Sequence, residues 1–282
     1  QHFGLDYRGA AFSFGYSLGE IGALIAGGVL APAAALRIPL SLADDCVALA
    51  HETTLGILFT KASELPFQGV RRACLLVNEQ GRGAIGISTY LAPNSVLLMG
   101  QTDTLDRFAE IAKREVRVKF HLRKNDQRWP PLHTPIMWER HIPDRAARLL
   151  HTLPLALAEP KPNVLSLVTG TFTYTDTTAR RMLREWIDHP QLLWNAVEHV
   201  LADGIKTVIH VGPEPNLVPA TFTRLSENVA AQLRDSMGLW ALSAAARRPW
   251  LSRLLPERSI LLRAPYVQHV VLEDWLLENA PR

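Results

Sequence analysis

Gly15-Tyr16-Ser17-Leu18-Gly19-Glu20 sets a serine between two glycines. The apolar residues 10–14 precede it, and the helix-forming Ile21-Gly22-Ala23-Leu24-Ile25-Ala26 follows. The pattern reads as strand, sharp turn, helix. Glycines two residues either side of Ser17 allow a tight turn that lifts its hydroxyl out of the fold. The backbone N–H of Leu18 then points into the same space and can stabilise an oxyanion. The chemistry open to this pair is attack on a carbonyl carbon, given a base to take the serine proton. The plainer reading is a glycine-rich turn that only lets strand and helix pack closely.

An elbow needs a fold around it. The chain has 282 residues, 48% hydrophobic and 20% charged, enough for one large α/β domain with an insert. No apolar stretch reaches the roughly 18 residues of a membrane span; the longest, 21–36, is broken by glycines and prolines. A formal net charge of +3 is too small to argue for nucleic acid but suits an acidic partner. Cys46 and Cys74 are the two cysteines. Neither a disulfide framework nor a zinc site is expected, and a reducing cytoplasm fits. Histidine, cysteine and carboxylate residues do not cluster at ligand spacing, so no metal is expected. The chain begins at Gln1, just before the elbow strand. A serine-nucleophile α/β fold places parallel strands on both sides of that strand, so the expectation is that a natural N-terminal segment is absent from this chain.

Along the chain, residues 10–14 read as the elbow strand, 18–28 as a helix, 32–39 as a loop and 42–59 as a helix. Strands are expected at 71–78, 95–99 and 116–122, with a helix over 104–113 started by Thr102 and Asp103. This makes a small β-β-α-β insert over about 69–123. Then come a helix within 135–155, a strand at 163–168, helices at 177–187 and 192–202, a buried strand at 207–211 ending in Gly212-Pro213, and a helix at 219–237. Beyond 238 the pattern is weak: a basic loop with Arg247, Arg248 and Arg253, a strand near 259–263 and a helix near 272–279. The expected domains are 1–68 with 124–237, the insert 69–123, and a C-terminal extension 238–282.

With these pieces in place, residues 8–237 resemble the malonyl-CoA:acyl carrier protein transacylases and the acyltransferase domains of polyketide synthases. Gly15-Tyr-Ser-Leu-Gly-Glu20 is similar to that family's Gly-His-Ser-Leu-Gly-Glu. Ala92-Pro93 before Val96-Leu-Leu-Met-Gly100 is similar to its small-domain strand. Leu132-His133-Thr134-Pro135-Ile136-Met137 resembles its catalytic-histidine segment. Asn163 to Gly170, His189-Pro190 with Trp194, and Ile205 to Pro213 follow in family order. The resemblance implies a Ser-hydrolase-like parallel-sheet domain with an inserted ferredoxin-like α/β subdomain, one helix of which looks shortened or missing near 79–83.

The resemblance further implies that Ser17 attacks an acyl-CoA carbonyl and that His133 is the base. The phosphopantetheine thiol of an acyl carrier protein would then take the acyl group, with acyl-CoA as substrate and no cofactor. His133 would be oriented by a backbone carbonyl at Trp186 or Ile187, the Trp186 side chain reading as core packing rather than as part of the site. His210, ending its strand, is the rival base; the other histidines have no such context. Three departures from the family stand out. Its Gly-Gln-Gly-Ser-Gln segment, source of the second oxyanion N–H, is not found. Its malonyl-binding arginine aligns with Thr53, Arg37 being the nearest arginine. Tyr16 replaces the family histidine and either shapes the pocket or only packs. Arg71, Arg72, Arg82, Lys119, Arg123, Lys124, Arg180, Arg181 and Arg184 are candidates to meet an acidic carrier protein, or are scattered solvated charges. The rival functions are an acyl-thioester hydrolase and a non-catalytic carrier-binding module on the same scaffold.

Overall fold

The structure, a computed structural model, describes residues 6–61, 63–125, 127–154, 159–175, 177–212, 216–234 and 257–279. The chain divides into two units, Gln1–Trp194 and Asn195–Arg282. The readings at Pro213, Met237 and the basic loop of Arg247, Arg248 and Arg253 lie outside the described residues.

In the first unit, the elbow segment is extended but pairs only briefly. Ser13 bridges Val164 in parallel, its N–H donating to Asn163 O (2.9 Å) while Leu165 N–H donates to Ser13 O (2.8 Å). Residues 10–14 and 163–168, both read as strands, carry no longer ladder among the described residues. Helix α1 (Leu18–Ala26) leaves the elbow and α2 (Pro32–Ala50) follows. The expected loop at 32–39 is therefore helix. Pro32 sits at the helix start, where its missing N–H costs nothing. Ala34, Ala35, Ile38, Leu42, Cys46 and Leu49 make one buried stripe at helical spacing, strong enough to carry Pro39 inside the helix.

The expected helix over 42–59 breaks at Ala50, and Thr53–Phe59 is strand β1. The expected strand at 71–78 is instead the end of α3 (Phe67–Asn78), whose buried residues Val70, Ala73, Cys74 and Val77 recur at helical period. Strands β2 (Ile85–Ala92) and β3 (Ser95–Gln101), helix α4 (Thr104–Glu115) and β4 (His121–Asn125) complete the small subdomain. Residues 116–122 are mostly connection: Val116 closes α4 and Arg117 takes a left-handed backbone (φ 52°). The four strands form one antiparallel sheet in the order β2-β3-β1-β4. Element order β-α-β-β-α-β with this strand order is ferredoxin-like. The insert read over 69–123 thus takes its first strand from Thr53–Phe59, and the helix expected to be shortened or missing is α3, complete.

Strand β3 is buried on both faces. Val96 and Leu98 of β3 join one core with α3 and α4. Leu97 and Met99 join a second core with α1, α2 and the later helices α5 (Ile142–Thr152) and α6 (Ala179–Asp188). That is why 96–99 is an unbroken apolar run rather than an alternation.

The second unit holds most of α7 (Leu193–Ala202), then β5 (Thr207–His210), α8 (Leu217–Arg234), a 3-10 helix Glu257–Tyr266, β6 (Gln268–Val271) and α9 (Leu272–Glu278). β5 and β6 pair in parallel. β5 is not the buried strand expected, since Thr207 and Ile209 are exposed. The strand expected near 259–263 is the 3-10 helix instead. Among the described residues no helix is long and apolar enough to cross a membrane.

Candidate active site

Ser17 sits at φ 54°, ψ −119°, outside the regions a non-glycine residue favours. Gly15 makes this possible by space. A Cβ there would lie 1.9 Å from the carbonyl carbon and oxygen of Gly19 and 2.4 Å from the nitrogen of Glu20. Gly19 has no such duty, because a Cβ there meets nothing within 4 Å. In the sequence both glycines read as parts of the turn; only Gly15 is required by it.

Glu20 anchors the elbow from below, a role the sequence reading did not assign. The signal was a carboxylate in the first turn of an otherwise apolar helix. Glu20 is fully buried, and three groups donate to its carboxylate: Ser166 Oγ–H and Tyr174 O–H (2.7 Å each) and Leu167 N–H (3.3 Å). Burial nevertheless pushes its pKa up to about 7.

The base arrives from a distant loop. Oγ of Ser17 is 2.9 Å from Nε2 of His133, and Nδ1 of His133 is 2.6 Å from the carbonyl oxygen of Trp186. A carbonyl can only accept, so Nδ1 carries the proton. Nε2 is then left as the acceptor facing the Ser17 hydroxyl. The backbone N–H of His133 donates to Ile187 O at 2.7 Å. Both candidate carbonyls are therefore used, Trp186 by the ring and Ile187 by the main chain. They belong to the last turn of α6, where carbonyls have no intrahelical partner. The negative end of that helix favours an imidazolium when one forms.

His133 itself has φ 67°. Two strained residues facing one another mark a site the surrounding structure holds under constraint, each costing about 1–3 kcal/mol. His133 is buried, and burial draws its pKa down to about 4, outweighing the carbonyl bond that acts the other way. It is neutral, and so able to accept a proton, at ordinary pH. The rival His210 belongs to the second unit, where its Nε2 meets His269 Nδ1 at 3.0 Å.

Leu18 opens α1, so its N–H has no intrahelical acceptor and is available as an oxyanion donor. Tyr16 ties the elbow to the small sheet, its hydroxyl 2.8 Å from Thr89 Oγ1, with burial raising its pKa. Thr53 lies on β1 rather than on the helix expected over 42–59, and its buried hydroxyl donates to Leu49 O at 2.8 Å. Among the described residues no hydrogen bond joins it to Ser17 or His133. The thiols of Cys46 and Cys74 are buried and pushed up to about 11 and 12, which makes them poor nucleophiles. Of the proposed basic face, Arg72 pairs with Glu115, Lys124 with Asp106 and Arg181 with Glu185, while Arg180 bonds the carbonyls of Leu150 and Leu153.

No protein-family model matches the chain. A curated relative, polyketide synthase GfsA of Streptomyces halstedii, is 24% identical over 202 residues, which is 71% of this chain and 2% of that protein. Among solved structures, the malonyl-CoA:acyl carrier protein transacylase of Xanthomonas oryzae is similar with a TM-score of 0.60 and 21% identity, over 75% of this chain and 64% of that one. An acyl carrier protein S-malonyltransferase of Vibrio cholerae matches with a TM-score of 0.63 and 22% identity, over 78% and 68%. The malonyl-transacylase in a complex with a type II polyketide synthase acyl-carrier protein matches with a TM-score of 0.63 and 19% identity, over 78% and 67%. The chain thus spans about two thirds of the solved structures it matches and a small fraction of the synthase. An elbow serine, an inserted ferredoxin-like unit and these superpositions together establish that the chain has the fold of the malonyl-CoA:acyl carrier protein transacylases.

Proposed function

We propose that this chain is an acyltransferase that moves an acyl group from coenzyme A to the phosphopantetheine thiol of an acyl carrier protein. The observation that carries this reading is the relay Ser17 Oγ to His133 Nε2 at 2.9 Å and His133 Nδ1 to Trp186 O at 2.6 Å, set on a strained elbow. In the first half-reaction, Ser17 Oγ bonds to the thioester carbonyl carbon as its proton passes to His133 Nε2. The developing oxyanion is met by Leu18 N–H. The C–S bond then breaks, and the proton on Nε2 goes to the departing thiolate. In the second half-reaction the carrier thiol gives its proton to Nε2 and its sulfur bonds to the ester carbon. The Ser17 ester bond breaks and the proton returns to Oγ. A His133 that is neutral at rest suits both halves, since it must accept a proton twice and never store one.

The test is acyl-enzyme trapping by mass spectrometry. Wild type incubated with acetyl-CoA should carry one acyl group on Ser17. Ser17→Ala should carry none, and His133→Ala should acylate about 100- to 10,000-fold more slowly. Transfer of the trapped group to a carrier thiol supports the acyltransferase. Decay to water alone would make the chain a thioester hydrolase. No adduct at all would leave a carrier-binding module.

A further inference from the structure

Trp186 enters the relay through its carbonyl, yet its side chain makes two further contacts at the same centre. The indole Nε1–H donates to the backbone carbonyl oxygen of Ser17 at 3.0 Å. The ring meets the His133 imidazole edge to face, centroids 5.2 Å apart at 81°. The side chain is almost wholly buried, at 1% exposure. A core tryptophan needs some acceptor for its N–H; here the acceptor is the carbonyl of the strained residue itself.

That choice of acceptor matters because of the peptide plane. Ser17 C=O and Leu18 N–H belong to one planar, trans peptide unit and point in opposite directions. Holding the oxygen fixes the direction of the N–H. Glu20 N–H also donates to Ser17 O (2.9 Å), but it comes from the same helical turn and would move with it. The indole comes from α6, a separate element that also holds His133 by two backbone carbonyls.

We propose that the Trp186 side chain is a positioning residue that clamps the Ser17–Leu18 peptide and so aims the Leu18 N–H at the developing oxyanion, while its ring fixes the plane of His133. This rests on the acyl-transfer reading only in requiring that Ser17 attack a carbonyl. One residue thereby sets base, nucleophile and oxyanion donor from a single helix end.

The test removes the N–H and keeps the shape. Trp186 is replaced by benzothienylalanine, in which sulfur stands for N–H. The reporters are p-nitrophenyl acetate turnover and fluorophosphonate labelling of Ser17, neither of which needs coenzyme A or a carrier. The expected result is a fall in kcat and in labelling rate of roughly tenfold or more, towards the 100-fold typical of a lost oxyanion donor. KM, melting temperature and the acid limb of the pH profile should stay at wild-type values in the benzothienyl variant. A smaller fall in rate in a folded benzothienyl variant would overturn the proposal, as would a loss of rate matched by a loss of stability. A wild type that labels with fluorophosphonate and slows in the variant, yet never acylates from coenzyme A, would uphold the clamp and reject the proposed donor. A wild type whose Ser17 does not label would reject both.

Discussion

The two glycines of the elbow look equivalent in the sequence, and the structure predicts opposite responses to the same methyl group. In Gly15→Ala the new Cβ would lie 1.9 Å from the carbonyl carbon and oxygen of Gly19. That is about 1.5 Å short of ordinary contact, and the atoms it meets are backbone that cannot swing aside. The first turn of α1 would have to withdraw, but Glu20 ties that turn to Ser166, Leu167 and Tyr174 through three buried hydrogen bonds. Overpacking alone costs about 1–3 kcal/mol, and opening a buried hydrogen-bonded carboxylate adds to it, so a loss of about 3 kcal/mol or more is expected. In Gly19→Ala the methyl group meets nothing within 4 Å and lies in a helix, where the exchange stabilises by about 0.5–1 kcal/mol. Urea unfolding of both variants measures the two costs, and fluorophosphonate labelling reads whether Ser17 keeps its geometry. Gly15→Ala should lose both stability and labelling; Gly19→Ala should keep its stability whatever it does to substrate access. The reasoning fails if Gly19→Ala is the more destabilised of the pair.

Two further outcomes are expected. With the His133 pKa held near 4 by burial, the acylation rate should stay on its plateau from pH 7.5 to about 5 and fall only below that, whereas an ordinary imidazole would lose most of its base form by pH 5.5. The linkage has the same sign: neutral burial of His133 stabilises the fold fully above the ordinary value of 6.5 and is lost as pH falls from there towards 4. A rate limb centred near 6.5 would contradict this. As for the acyl group, the malonyl-binding arginine of the resembled family has no buried counterpart on α2, the helix that follows α1: its buried stripe is apolar and its one arginine, Arg37, is exposed. A malonyl carboxylate left unpaired in a buried site would cost about 3–5 kcal/mol. Acetyl-CoA should therefore acylate Ser17 faster than malonyl-CoA; a malonyl preference that collapses in Arg37→Ala would refute it.

Local pattern was enough for the elbow. Ser17 between glycines, flanked by apolar strand-like residues and a helix former, is a short-range signal, and it landed at a strained φ with α1 beginning one residue later. The helices at 177–187 and 192–202 were legible for the same reason, since each shows its own 3.6 period over three turns. Where local signals conflicted, tertiary burial decided. Residues 71–78 contain a run that passes for a strand, but the face that packs against the small sheet is the helical one. Thr53–Phe59 became a central strand because β3 and β4 supply partners on both sides, a fact no window around residue 56 contains.

The site divides in the same way. Ser17 and the Leu18 N–H followed from local turn geometry, and His133 from resemblance. What joins them is decided across 116 residues of chain, by a helix end whose unpaired carbonyls accept the imidazole and the His133 backbone. The carboxylate beneath the elbow has no assigned role in the sequence, and the indole beside it reads there as core packing. Glu20 is charged and Trp186 bulky in any context, and only the packing of residues 166–174 and of α6 against the elbow gives each its hydrogen-bond partner.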